Sequence, residues 1–298
     1  MTTAPSSLLR PHDPPAGPLD SHLIQIRDLV YGVAGIFQPD NKLGMLEDQC
    51  LKRMRVLGIS TFQDYLGRLT VPPNEQAEMT SLLNEITVGE TCFFRNQAQL
   101  DALRNIVIPR IAQAKAAVSQ RHLRIWSAGC STGEEPFTLS MILLEETAER
   151  LKGWTFEILA TDLNEDCLAH CEHGAYTGHS TQNLSPYFEQ KYFMARGDGL
   201  VVSPEVRAHV NFSRLNLLDA AGMALLQSID VILCCNVLIY FDAGSKQRVI
   251  QHFYGNLLPD GYLFLGHSES LYGVSGEFQL VHLPCTTAYV KAKTGANP

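Results

Sequence analysis

Over residues 20–83 the apolar positions recur at three and four: Leu23, Ile26 and Val30, then Leu43, Leu46, Cys50, Met54 and Leu57. That spacing predicts amphipathic helices. Gly58 is expected to stop the second helix, and Ser60 to cap a short third one holding Phe62, Tyr65 and Leu66. From Leu123 onward the pattern changes to short apolar runs alternating with helical segments, the rhythm that builds a parallel sheet. Strands are expected over 123–126, 156–160, 210–214, 229–234 and 262–265, with 278–283 and 287–290 adding an antiparallel last hairpin. Helices are expected over 137–150, 165–173 and 243–257, with Pro259-Asp260-Gly261 as a turn. Between residues 177 and 208 the alternation lapses: Leu184-Ser185-Pro186 reads as a helix start, and 192–202, broken by Gly197-Asp198-Gly199, as a hairpin. The fold class is therefore α/β: a mostly parallel seven-stranded sheet, a small N-terminal all-α domain and a small antiparallel β insertion. The expected divisions are a disordered tail over 1–19, the helical domain over 20–86, a linker with helices over 87–120, and the α/β domain over 121–298 with its insertion at about 177–208.

The first strand-to-helix connection carries the candidate chemistry. It reads Trp126-Ser127-Ala128-Gly129-Cys130-Ser131-Thr132-Gly133-Glu134-Glu135-Pro136. Gly129 and Gly133 let the backbone bend sharply and let a ligand approach its amides, and Thr132 is expected to cap the helix behind them. Glu134 and Glu135 in the first turn argue against a phosphate, which wants bare amides and positive charge at a helix start. A ligand with an ammonium or sulfonium group suits them, and S-adenosylmethionine carries both. Asp162, at the end of the second strand about 30 positions on, is placed to accept both hydroxyls of a ribose. Ligands of open α/β sheets sit outside the carboxyl ends of the strands, which gathers Gly129, Asp162, Asn216 and Asn236 around one crevice.

A formal net charge of -8 counts against nucleic acid as a partner. No window approaches the run of about 20 apolar residues that inserts in a membrane, and no signal peptide is read at the N-terminus. Eight cysteines scattered in apolar segments fit reduced thiols, so a cytoplasmic protein is expected. Cys167, His170, Cys171 and His173 fall at a spacing that could hold zinc, but they lie on the ordinary helix after the second strand, and no metal is expected. Lys52, Arg53 and Arg55, with Arg68 nearby, form either a docking face for an acidic helix or a solvated surface, diluted by Glu47 and Asp48. Cys234 and Cys235, adjacent on a strand, should face opposite ways. His267, after the strand ending at Leu265, is read as structural. The stretch Glu85 to Asn96, taken alone, reads as a helix connection with its phenylalanines in the core and Arg95 capping carbonyls.

The glycine turn, Thr91-Cys92-Phe93-Phe94-Arg95 and Asn236-Val237-Leu238-Ile239-Tyr240-Phe241 together resemble the CheR-type glutamate methyltransferases of bacterial chemotaxis receptors. Ala160-Thr161-Asp162, Asn216-Leu217-Leu218, Gly266-His267-Ser268-Glu269-Ser270 and the helical segment Leu51-Lys52-Arg53-Met54-Arg55-Val56-Leu57-Gly58 are similar to the family too, so the likeness runs from about residue 20 to the end. Several motifs in one order make this a specific match.

The resemblance implies transfer of methyl from S-adenosylmethionine to glutamate side chains on the cytoplasmic helices of methyl-accepting chemoreceptors, leaving S-adenosylhomocysteine. Glu135 would hold the methionine amino group and Asp162 the ribose; Asn216 with Leu217, the backbone at Cys234 and Cys235, and Asn236 would frame the adenosine. Gly89, Thr91 and Arg95 would reach the cofactor from the linker, Arg95 would orient the substrate carboxylate, and Tyr240 would lie beside the methyl group. Members commonly carry arginine where this chain has Cys235, and a polar residue where it has Gly89. The short hairpin loop over 196–199 argues against tethering to a receptor's C-terminal tail. Two alternatives remain open from the sequence: a degenerate S-adenosylmethionine-binding signalling module, and a carboxyl methyltransferase acting on another protein.

Overall fold

The computed structural model describes residues 20–87 and 89–291, so the tail expected over 1–19 lies outside the described residues. The chain divides into two compact units, Met1–Ile86 and Thr87–Pro298. Among the described residues no helix is long and apolar enough to cross a membrane.

The first unit is all helical: α1 (Ser21–Ala34), α2 (Leu43–Leu57), α3 (Phe62–Thr70) and α4 (Glu75–Ile86). Leu23, Ile26 and Val30 of α1 and Leu43, Leu46, Cys50 and Met54 of α2 are buried, as their spacing requires. Gly58 ends α2 in the left-handed conformation at φ 69°. The cap of α3 is Thr61 rather than Ser60, because Thr61 holds the extended backbone from which its hydroxyl accepts the Asp64 N–H. Arg53 also departs from a free basic face: it turns inward and donates to both oxygens of Glu78, at 3.0 and 2.8 Å, and the Tyr65 hydroxyl donates to the same carboxylate at 2.9 Å.

The second unit opens with α5 (Gln97–Ala102) and α6 (Ile108–Ala116), joined through one π-helical stretch, Leu103–Val107. The main sheet uses β1 (His122–Ala128), β2 (Thr155–Asp162), β6 (Val210–Arg214), β7 (Ile229–Cys234), β8 (Leu257–Leu265), β9 (Gln279–Leu283) and β10 (Thr286–Val290), in the order β6-β2-β1-β7-β8-β10-β9. The first five strands run parallel, and β10 pairs antiparallel with both β8 and β9. Residues of β1 and β7 alternate between two apolar clusters, Ile125 and Val231 in one, Trp126 and Ile232 in the other, as expected of strands covered on both faces. Helices α7 (Glu134–Ala148), α8 (Glu165–His173), α11 (Ala220–Ala224) and α12 (Ala243–Asn256) link the strands. A second, three-stranded antiparallel sheet joins β3 (Ala175–Tyr176), β4 (Phe193–Arg196) and β5 (Gly199–Val202) in the order β3-β5-β4, with α9 (Pro186–Tyr192) and α10 (Pro204–Arg207) beside it in sequence. It begins two residues before the insertion expected at 177, since Tyr176 pairs with Leu200.

Pro259-Asp260-Gly261 is not a turn. The strand runs through it as an irregularity, with Asp260 at φ 63°. Pairing supplies what local chemistry lacks: Asp260 N–H donates to the Lys291 carbonyl at 2.7 Å and Lys291 N–H to the Gly261 carbonyl at 3.0 Å.

Candidate active site

The parallel order β6-β2-β1-β7 brings four strand ends side by side. Asn216 follows β6, Asp162 ends β2, Gly129 follows β1 and Asn236 follows β7, so the four positions expected around one crevice share one edge.

The glycine turn is fixed from both sides. Gly129 and Cys130 N–H groups donate to the Thr161 carbonyl at 2.8 and 3.0 Å, tying the turn to the end of β2. Gly129 (φ +79°) has no room for a side chain, because a Cβ would stand 2.4 Å from a Val237 methyl. Gly133 (φ +95°) occupies the helix cap itself, where a Cβ would stand 2.8 Å from Cys171 Sγ. Thr132 therefore does not cap α7: its hydroxyl donates to Glu134 Oε2 at 2.7 Å, and Ser180 donates to Glu134 Oε1 at 2.6 Å. Glu134, buried, belongs to this structural tie, while Glu135 faces the other way.

Glu135 Oε1 accepts from Ser127 at 2.6 Å. Glu135 is half-buried, and desolvation raises its pKa above the ordinary glutamate value, although hydrogen bonds from Ser127 and Cys235 and the charge of Arg95 pull the other way. Asp162 Oδ2 accepts the Ser131 N–H at 2.7 Å and Oδ1 the Asn164 N–H at 2.9 Å. Its pKa is raised too, by burial opposed by those backbone donors. Among the described residues neither carboxylate has a lysine, arginine or histidine within ion-pair distance. Two desolvated acceptors without a cation at the edge of a parallel sheet fit a ligand that brings its own positive charge and vicinal hydroxyls. They do not fit a phosphate.

The Gly89–Arg95 stretch lies against the turn, since the Gly89 carbonyl accepts the Ser131 hydroxyl at 3.5 Å. Phe93 and Phe94 are buried, and their N–H groups donate to the Ser180 carbonyl (2.9 Å) and to Thr138 Oγ1 (3.1 Å). Arg95 stands exposed between Phe94 and Asn96, both left-handed at φ 52° and 58°, and donates to the Glu90 carbonyl at 2.8 Å. It thus caps a carbonyl, as the plain reading had it, and also acts on Glu135 through its charge. Thr91 is half-buried in the same stretch.

At the other strands, Asn216 Oδ1 accepts the Leu218 N–H at 3.0 Å, shaping the turn after β6, and Leu217 is buried. Cys234 packs in one apolar cluster and Cys235 against the other, so the two thiols do face opposite ways. Cys235 Sγ lies 3.4 Å from Gln99 Oε1, and Gln99 Nε2 donates to the Leu265 carbonyl at 3.0 Å. Tyr240 is half-buried; burial and the carboxylates of Asp162 and Glu269 push its phenol pKa upward. His267 is exposed. Among the described residues no three His, Cys, Asp or Glu side chains are grouped to hold a metal; Cys167 and Cys171 are buried, and Cys171 donates to the Ser131 carbonyl at 3.3 Å.

The sequence motifs include Ser127 and Glu269 without giving either a role, and Gln99 lies outside them. Ser127 was legible in part, as a hydroxyl on the strand leading into the turn. Gln99 and Glu269 act across long sequence separations that no local pattern records.

Comparison with known proteins supplies the rest. Residues 89–287 match the model of the CheR methyltransferase SAM-binding domain, and residues 21–87 the CheR methyltransferase all-alpha domain. The chain is similar to chemotaxis protein methyltransferase 2 of Vibrio cholerae, at 34% identity over 93% of this chain and 94% of that protein. It is also similar to chemotaxis protein methyltransferase 1 of Pseudomonas aeruginosa, at 36% over 83% and 89%, and to the chemotaxis protein methyltransferase of Escherichia coli, at 34% over 88% of each. With both family domains matched in order over the two compact units, the chain belongs to the CheR methyltransferase family, whose methyl donor is S-adenosylmethionine.

Proposed function

We propose that this enzyme methylates glutamate side-chain carboxylates on the cytoplasmic helices of chemoreceptors, giving glutamate methyl esters, and that it works in the cytoplasm. The observation that carries the reading is the pair Glu135, in the first turn of α7 after β1, and Asp162, at the end of the neighbouring β2: two half-buried carboxylates, both raised in pKa by desolvation and neither in an ion pair among the described residues, in a family methyltransferase domain. S-adenosylmethionine, when bound, supplies a methyl group on a sulfonium and leaves as S-adenosylhomocysteine.

The residues divide the work. Glu135 takes the ammonium of the methionine moiety, and Asp162 the ribose hydroxyls. Asn216 and Leu217, the backbone at Cys234 and Cys235, and Asn236 frame the adenosine, while Gly89 and Thr91 close over it from the linker. The acceptor needs no general base, since a glutamate side chain with a pKa of about 4.3 is ionised at neutral pH and already nucleophilic. What remains is alignment and exclusion of water. Arg95, a fixed cation on a constrained backbone, orients the acceptor carboxylate from the side. A frontal bidentate grip would stabilise the ground state and slow transfer. Tyr240 shapes the methyl slot. Its phenol stays protonated at neutral pH, so it donates a hydrogen bond without adding negative charge.

The test is methyl transfer from labelled S-adenosylmethionine to membranes bearing the organism's own chemoreceptors, with Arg95→Ala beside the native chain. Base-labile label on a receptor, lowered by about 100-fold in the variant, supports the reading. Cofactor binding without transfer to any receptor sinks it, and points to another protein substrate or to a signalling role.

A further inference from the structure

Glu269 has no part in the roles above, yet its carboxylate is the crossing point of two loops. After β7 the chain passes through Asn236, Val237 and a short 3-10 turn, Leu238–Tyr240, before Asp242 caps α12. After β8 it passes through Gly266 to Glu269. Glu269 Oε2 accepts the N–H groups of Asn236 and Gly266, both at 2.8 Å, and Oε1 accepts the N–H of Ile239 at 3.3 Å. The loops meet so closely that a Cβ on Gly266 would stand 2.6 Å from Asn236 Oδ1 and 2.7 Å from Glu269 Oε2. Asn236 is left-handed at φ 60°, a conformation a non-glycine residue keeps only when its surroundings hold it there. The opposite side of this loop is already set by Val237 packing on Gly129.

From this geometry we infer that Glu269 is a positioning residue for methyl transfer: one oxygen fixes Asn236 and the other fixes the turn that carries Tyr240. The inference rests on the roles proposed above for Asn236 and Tyr240. It also assigns the two oxygens different consequences. A glutamine at 269 keeps one oxygen, enough for the Asn236 and Gly266 donors, but turns an NH2 group toward the Ile239 N–H, where two donors cannot bond. The turn bearing Tyr240 then loses its anchor while the Asn236 anchor stays. An alanine removes both.

The experiment uses the full chain with Glu269→Gln, Glu269→Ala and Tyr240→Phe, measured by steady-state methyl transfer and by amide hydrogen exchange of the 236–241 segment. Glu269→Gln is expected to exchange faster at Ile239 and to lower kcat by about tenfold, leaving KM for S-adenosylmethionine within about threefold. Glu269→Ala should change both. Because Glu269→Gln acts through Tyr240, its effect on kcat should shrink to under about twofold in the Tyr240→Phe background. Native kinetics in Glu269→Gln, or equal loss of kcat in both backgrounds, overturns the inference. If the native chain itself methylates no receptor, the proposed activity fails instead, and unchanged exchange at Ile239 in Glu269→Gln still overturns the positioning role.

Discussion

Two populations of inward-turned carboxylates coexist in the second unit. In the scaffold Asp230 and Glu146 meet cations, while Glu134 is held by the hydroxyls of Thr132 and Ser180. Asp230 accepts from Lys115 Nζ at 2.7 and 2.6 Å and from the Arg124 N–H at 2.8 Å. Glu146 accepts from Arg104 and Arg150 at 2.7 and 2.6 Å. Burial works to raise the Glu146 pKa, but the two guanidinium groups outweigh it and hold the carboxyl below its ordinary value. At the strand ends, Glu135, Asp162 and Glu269 meet only hydroxyl, thiol and backbone donors, and there burial wins for Glu135 and Asp162. A fold that pairs Asp230 and Glu146 with cations in direct contact, and gives Glu135 and Asp162 none at that distance among the described residues, has left room for a cationic ligand beside the second set. Removing a partner from the first set should therefore unfold the protein, and neutralising a member of the second should disarm it.

The largest effect is expected in the scaffold. Lys115→Ala leaves Asp230 buried without its cation, and loss of one partner of such a pair costs about 3–5 kcal/mol. Urea unfolding should show that loss, while cofactor affinity in the protein that stays folded is native. A stability change under about 1 kcal/mol would mean that the pair is solvated and that the two populations do not differ in kind.

Glu135→Gln should do the reverse. It preserves the oxygen that accepts from Ser127 but removes the charge for an ammonium, so S-adenosylmethionine binding should weaken by about 1.5–3 kcal/mol, roughly 10- to 150-fold. Folding should not weaken. A carboxylate whose folded pKa lies above its unfolded value binds more protons folded than unfolded between those two values, so stability falls as pH rises through that window. Where Glu135 is ionised its desolvation opposes folding, and glutamine relieves it. Cofactor affinity runs the other way with pH, fading as acid protonates Glu135 and Asp162 at pH values above those of ordinary carboxylates. Calorimetric titration across pH 4 to 7, read as roughly one decade of affinity per buried charge lost, checks both signs. Pre-stabilised affinity at the acid end, with Glu135→Gln unfolding more easily than the native chain, would break the comparison.

How much of this the sequence carried depends on the reach of each interaction. Gly129 and Gly133 were legible because the turn follows its strand directly and its chemistry is local, and Asp162 because the strand rhythm marks it as the end of the next parallel strand. The strand alternation was legible for the same reason. Pro259-Asp260-Gly261 misled because its composition favours a turn, whereas cross-strand bonds to Lys291 carry the strand through. Thr132 misled because Gly133 can take the cap conformation that the tight approach of Cys171 and Tyr176 demands. The roles of Ser127, Gln99 and Glu269 depend on partners 8, 136 and 33 residues away, and only folding brings those together.

The smallest effects are expected from the neutral donors to Glu135, and their ranking decides what holds that carboxylate. The Ser127 hydroxyl donates at 2.6 Å along a short path, so Ser127→Ala should weaken cofactor binding by about 1 kcal/mol, roughly fivefold, by letting the carboxylate turn away. The Cys235 thiol is a weaker donor and divides its single hydrogen between Glu135 and Gln99 Oε1. Cys235→Ala should therefore cost about twofold or less, within the lower range of a neutral hydrogen bond. Should Cys235→Ala match Glu135→Gln instead, the thiol rather than the serine would be what keeps Glu135 aimed at the ligand. The strand-end carboxylate would then depend on its β7 neighbour as strongly as Asp230 depends on Lys115, and the division between the two populations would rest on the kind of donor rather than on the presence of charge.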